Sequence, residues 1–136
     1  MEFQSCVKII NEWDIVAARQ LGRKISKEIG FGTVDQARIT TAISELARNI
    51  FLYAGTGEIC IEKMAEAGKD GLKIVAKDKG PGIKDVRQVM QDGYTTSGGL
   101  GAGLPGVKRL MDTFDLVSSV EEGAQGTIIT THKWVR

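Results

Sequence analysis

The stretch Gly93-Tyr-Thr-Thr-Ser-Gly-Gly-Leu-Gly-Ala-Gly-Leu-Pro-Gly106 decides which fold this chain adopts. Six of its fourteen residues are glycine and it has no apolar periodicity, so it reads as neither a strand nor a packed helix. Glycine loses more freedom on folding than any other residue. Such density marks a backbone that takes positive φ, comes close to a ligand, or moves. The next segment, Val107-Lys-Arg-Leu-Met111, has helical spacing, and Pro105 suits a first helical turn, where a missing N–H costs nothing. A glycine loop opening a helix is a phosphate-binding arrangement, because free N–H groups and the positive end of the helix dipole face the anion. A plain surface loop fits the same residues. Gly101-Ala-Gly103-Leu-Pro-Gly106 also matches G-x-G-x-x-G, with Glu121 and Glu122 beyond it. That fingerprint must follow a buried strand and open a doubly wound domain. Here Gln91 to Gly99 is polar and only thirty residues follow Gly106, so the context argues against a dinucleotide fold.

Upstream, Cys6 to Ile10 suits a short strand, and Asn11 or Asp14 can cap a helix carrying Ile15, Val16, Ala18, Leu21, Ile25 and Ile29. Gly30-Phe31-Gly32 ends it. Thr33 can cap a second helix, about Val34 to Tyr53, with Asp35 in its first turn. Ile39, Ile43, Leu46 and Ile50 form its core stripe. Glu45 and Asn49, four apart, share a face at the edge of that stripe, below small Ala42 and in the row of Arg38, while Arg48 points away from the core. A carboxylate beside a carboxamide suits a base and a metal ligand, although taken alone the pair reads more simply as a partly exposed helix flank.

Glu58 to Met64 and Gly71 to Asp78 alternate as a hairpin around a polar loop, Ala65 to Asp70. Period two places Asp78 on the apolar side with Leu72, Ile74 and Ala76. A carboxylate there needs a donor, either from a backbone turn or from a ligand. Gly80 and Gly82 clear side chains from beside it. Lys84 to Asp92 reads as a short helical piece, Phe114 to Val120 as a strand, and Thr127 to Val135 as a last strand after a Glu122 to Gly126 turn. Strands and helices do not alternate strictly. The fold class is therefore α/β of the α+β sandwich kind, a mixed, mostly antiparallel sheet covered by helices on one face.

The chain has 136 residues, one domain by length, with 42% apolar and 26% charged residues. A net charge of +1 gives no general pull toward nucleic acid or membrane, and no apolar run has the length of a membrane span. No secretory leader is evident, and Cys6 and Cys60, far apart with no C-x-x-C, read as free thiols in a reducing cytoplasm. The lone histidine, His132, makes a histidine-based zinc site or a catalytic triad a poor reading.

Four signals stand in order: Glu45-x-x-x-Asn49 on a helix, Asp78-x-Gly80-x-Gly82 after a strand, Gly99-x-Gly101-x-Gly103 before a helix, and Gly126-Thr127 opening a strand. Together they resemble the ATP-binding (Bergerat-type) fold of gyrase, Hsp90, histidine kinases and MutL. The resemblance covers essentially the whole chain. In particular, Glu12 to Gly22, Thr33 to Asn49 and Thr96 to Asp112 resemble the RsbT-like switch kinases of bacterial stress-signalling modules (stressosomes). It implies ATP and Mg²⁺ as cofactors, with Asp78 accepting from the adenine amino group and Thr127 helping at the ring edge. Gly80 and Gly82 would lie against the base. Asn49 would supply an oxygen to Mg²⁺, and Glu45 would take the proton of the attacking hydroxyl. Gly99, Leu100, Gly101, Ala102, Gly103 and Leu104 would hold the phosphates as a lid that nucleotide orders. Lys108 and Arg109 are candidate lid cations. The resemblance further implies a serine/threonine kinase acting on a small STAS-domain antagonist protein. On release it would activate a second protein such as a PP2C-type phosphatase. An anti-sigma factor kinase and a non-catalytic ATP-dependent binding module are the rival readings.

Overall fold

In the computed structural model, residues 4–91 and 103–136 are described. Strand β1 (Gln4–Ile9) leads into helix α1 (Trp13–Ile29), which a left-handed Gly30 ends. Asn11 serves this helix start by accepting from the Trp13 N–H, whereas Asp14 turns back to accept from Ile10 and Asn11. Helix α2 (Thr33–Asn49) follows at once. Extended Gly32 is its N-cap and Thr33 its first residue, so the expected threonine cap is displaced by one position. The expected stripe holds: Ile39, Ile43, Leu46 and Ile50 are buried. The helix does not simply run on to Tyr53. It passes into a π-helical turn, Ile50–Ala54, closed by Gly55.

Strands β2 (Gly57–Glu66) and β3 (Lys69–Asp78) form the expected hairpin, with a tighter turn than the polar composition suggests. Only Ala67 and Gly68 separate them, both at positive φ, as a two-residue hairpin demands. A short helix α3 (Val86–Val89), capped by the Asp85 carboxylate on the Gln88 N–H, precedes α4 (Gly103–Leu110), β4 (Thr113–Ser119) and β5 (Gly126–Trp134). The sheet order is β1-β2-β3-β5-β4. All four pairings are antiparallel, so the sheet is not mixed.

Helices α1, α2 and α4 cover one face. Ile59, Ile61, Leu72, Ile74 and Ile129 point into that layer, while Val117 and Ile128 stand exposed on the other face. The α1–α2 approach is close enough that a Cβ on Gly22 would run into the Ile43 side chain.

The cysteines depart from expectation. Register places Cys6 opposite Cys60 across β1 and β2, with Cα atoms 4.0 Å apart, and the two are joined as a disulfide. Sequence spacing could not show this, because 54 residues separate them and only strand pairing makes them neighbours. They are not free thiols and give no support for a reducing compartment. Among the described residues no helix is long and apolar enough to cross a membrane.

Candidate active site

A cavity of about 800 Å³ opens where the end of α2, its π-helical turn, the Asp78 end of β3, the start of β5 and the first residues of α4 meet. Asn49, Asp78, Gly82, Gly103, Leu104 and Thr127 line it. These residues are scattered from 49 to 127 in sequence, and the fold brings them to one place. Glu45 and Gly80 were expected with them and do not line it. Gly99, Leu100, Gly101 and Ala102 lie outside the described residues, as does the rest of the expected lid before Gly103.

Asp78 ends β3 on the helix-covered side, as period two requires. Its Oδ1 accepts from the Gly80 N–H at 2.9 Å, an Asx-type stop to the strand. Burial pushes its carboxyl above the ordinary range, and the N–H groups of Gly80 and Thr127 partly oppose this. The turn and the cavity thus share one carboxylate. Gly80 is small for a packing reason: a Cβ there would stand 2.6 Å from the Ala54 Cβ and 2.8 Å from its Cα. Gly82 combines φ of +82° with a backbone pressed on the Ser119 carbonyl, so no side chain fits.

Asn49, the last residue of α2, is half-buried, and its Nδ2 has no hydrogen-bond partner among the described residues. A buried amide left without a partner costs free energy unless a ligand completes it. Rotation about its last bond presents either the nitrogen or the oxygen to the cavity. Glu45 lies one turn back on the same helix and is buried. Its Oε1 accepts from Arg48 Nη1 at 2.7 Å. Arg48 therefore does not point away from the core. It is only 35% exposed and folds along the helix onto the acid.

Three features of the site were not read from the sequence. The π-helical turn brings Tyr53 and Ala54 to the cavity wall, and such turns often mark functional sites. Ser118 joins the site's edges: its Oγ accepts from the Ile83 N–H at 2.7 Å, donates to the Gly126 carbonyl at 3.1 Å, and lies 2.8 Å from Thr127 Oγ1. With its single proton on Gly126, it takes the Thr127 proton and leaves lone pairs of Thr127 for the cavity. Its place on the inward side of β4, in the row of Phe114 and Leu116, was the available signal. Lys84, exposed at the mouth, is the one lysine or arginine among the described residues that lines the cavity; Lys108 and Arg109 do not.

A family model described as the histidine kinase-, DNA gyrase B-, and HSP90-like ATPase matches residues 34–135. The serine/threonine-protein kinase RsbT of Bacillus subtilis (strain 168) is 69% identical over 136 residues, the whole of both chains. Among solved structures, the RsbU and RsbW domains of a Mycobacterium tuberculosis protein match with a TM-score of 0.64 at 18% identity. That match covers 98% of this chain and 32% of the other, and shows a likeness of fold. The chain therefore belongs to the histidine kinase-, gyrase B- and HSP90-like ATPases and, within them, to the serine/threonine-protein kinases of the RsbT kind.

Proposed function

We propose that the chain transfers the γ-phosphoryl group of ATP to a serine or threonine hydroxyl of a small STAS-domain antagonist protein. On release from that protein it activates a downstream effector such as a PP2C-type phosphatase. We place this activity in the cytoplasm. The observation that carries the reading is the cavity itself, lined by a half-buried acid, the first residues of a helix and a carboxamide whose Nδ2 has no partner among the described residues.

The donor set fits ATP with Mg²⁺. Asp78 accepts from the adenine amino group, and Thr127, its hydroxyl oriented by Ser118, meets the ring edge. Asn49 turns its oxygen toward the ion, which takes oxygen ligands and keeps most of its water and phosphate contacts. Bound there, Mg-ATP supplies the transferable phosphoryl group and neutralises charge that builds on it. The first N–H groups of α4, from Gly103 and Leu104, face the phosphates, and Lys84 lies at the mouth to meet them. Glu45 takes the proton of the attacking hydroxyl. Arg48 occupies one of its carboxylate oxygens. With little covalent chemistry asked of the protein, catalysis rests on position and charge.

The test is incubation of the chain with Mg-ATP and a cognate STAS protein, followed by mass spectrometry. The expected result is one added phosphate on the STAS protein at a serine or threonine. Nucleotide binding with no phosphate transferred would favour a binding module. Firm capture of a sigma factor would favour an anti-sigma kinase.

A further inference from the structure

Lys133 is a charged residue in the wrong place for solubility. It sits on β5 on the helix-covered side, in the row of Thr127, Ile129 and Thr131, and is only 5% exposed. A buried ammonium is retained only where partners meet it. Here Nζ donates to the Leu110 carbonyl at 2.8 Å and stands 3.8 Å from Asp35 Oδ1, which also holds Arg38 Nη1 at 3.0 Å. Leu110 is the last residue of α4, so Lys133 caps the negative end of that helix dipole. The strand is fastened to the turn beyond α4 on both sides of this lysine. Asp112 N–H donates to the His132 carbonyl, Trp134 N–H donates to Asp112 Oδ2, and Arg136 pairs with Asp112.

The other end of the same short helix is the cavity wall. Eight residues rise about 12 Å. Gly103 and Leu104 at its start line the cavity, and Lys133 holds its last carbonyl.

We infer that Lys133 is a positioning residue for the phosphate half of the nucleotide site. It fixes α4 along its own axis against β5 and α2, and so sets where the first N–H groups of α4 stand. It acts on the phosphate chain and leaves adenine recognition alone. This rests on the reading of α4 as the phosphate-facing helix.

The experiment compares Mg-ATP and adenosine binding by calorimetry for the wild-type chain, Lys133→Gln and Lys133→Arg. Wild type binds ATP more tightly than adenosine. Lys133→Gln raises the ATP Kd about tenfold, the order of one weakened hydrogen bond to a charged phosphate, and changes adenosine affinity by less than about twofold. Lys133→Arg, which keeps a charged donor, recovers most of the loss. Because Lys133→Gln can damage the core, Asp35→Asn serves as a milder second variant. It loosens the same ammonium from the half-buried side and weakens ATP about threefold while sparing adenosine. An unchanged preference for ATP in both Lys133→Gln and Asp35→Asn overturns the inference and leaves the proposed function standing. An equal loss for both ligands also overturns it, by making Lys133 a matter of stability. A wild-type chain that binds ATP no better than adenosine overturns the site reading and this inference with it.

Discussion

At Asp78 the needs of the fold and of the ligand pull in opposite directions. Burial raises its carboxyl pKa, so the protonated form is favoured in the folded chain relative to the unfolded one. That contribution to folding is fully present below the unfolded pKa and is lost as pH rises through the raised folded value. Adenine asks the reverse, since only the ionised form is purely an acceptor for its amino group. ATP affinity is therefore predicted to fall on acidification, starting at a higher pH than an ordinary carboxylate would give. A calorimetric pH series that is flat down to the usual carboxylate range contradicts this. Asp78→Asn places a donor toward a donor and should weaken ATP by roughly 1–3 kcal/mol, the cost of an unsatisfied buried group. Glu45 is separable from it. Glu45→Ala should leave ATP binding intact and slow phosphotransfer by roughly 10²–10⁴, the usual worth of a positioned base. Single-turnover transfer measured beside binding distinguishes the two acids, and lost binding with normal transfer would reverse their roles. Period two along β3 made the placement of Asp78 legible in the sequence, and the four-residue spacing on α2 put Glu45 in the row of Asn49 without showing that it stays behind the cavity wall. The turn of Arg48 onto Glu45 was not, because a long side chain on a helix flank can reach back three residues or out to water, and residue order does not say which.

Among the elements, α2 was legible because four apolar residues recur at helical spacing over its length. Its π-helical end was not, since Ile50-Phe-Leu-Tyr-Ala54 is as apolar as a continuing helix and the departure is set by what lies beneath it. The hairpin was legible from alternation. Its turn was read as too long, because alanine at Ala67 gives no hint of the positive φ that a two-residue turn imposes. The Asp78 to Ile83 turn was legible as glycine-rich, though the reason for the glycines is local crowding. Gly82→Ala tests this. A side chain at φ +82° facing the Ser119 carbonyl should cost roughly 1–3 kcal/mol and lower the melting temperature. It should also weaken ATP, since Gly82 lines the cavity. An unchanged melting curve would show that the turn relaxes freely.

Across the whole molecule, the order of four motifs was enough to indicate the ATPase fold and helices on one face of the sheet. The placement of Ser118 and Lys133, and the Cys6–Cys60 pair, depends on which strands lie side by side and in what register. Pairing β3 with β5, strands far apart in sequence, is what puts Thr127 opposite Asp78. The same arrangement confines the site to one end of the helix-covered side and leaves the opposite sheet face, with Val117 and Ile128, uninvolved. Hydrogen exchange with and without Mg-ATP, read over the whole chain, tests the central claim most directly. Protection is predicted at the end of α2 and its π-helical turn, from Asp78 to Val89, at the start of α4 and at the start of β5, with β1 and the first half of β4 unchanged. Protection confined to the exposed sheet face, or to the α2 surface around Val34, with none at Asp78 or α4, would contradict it.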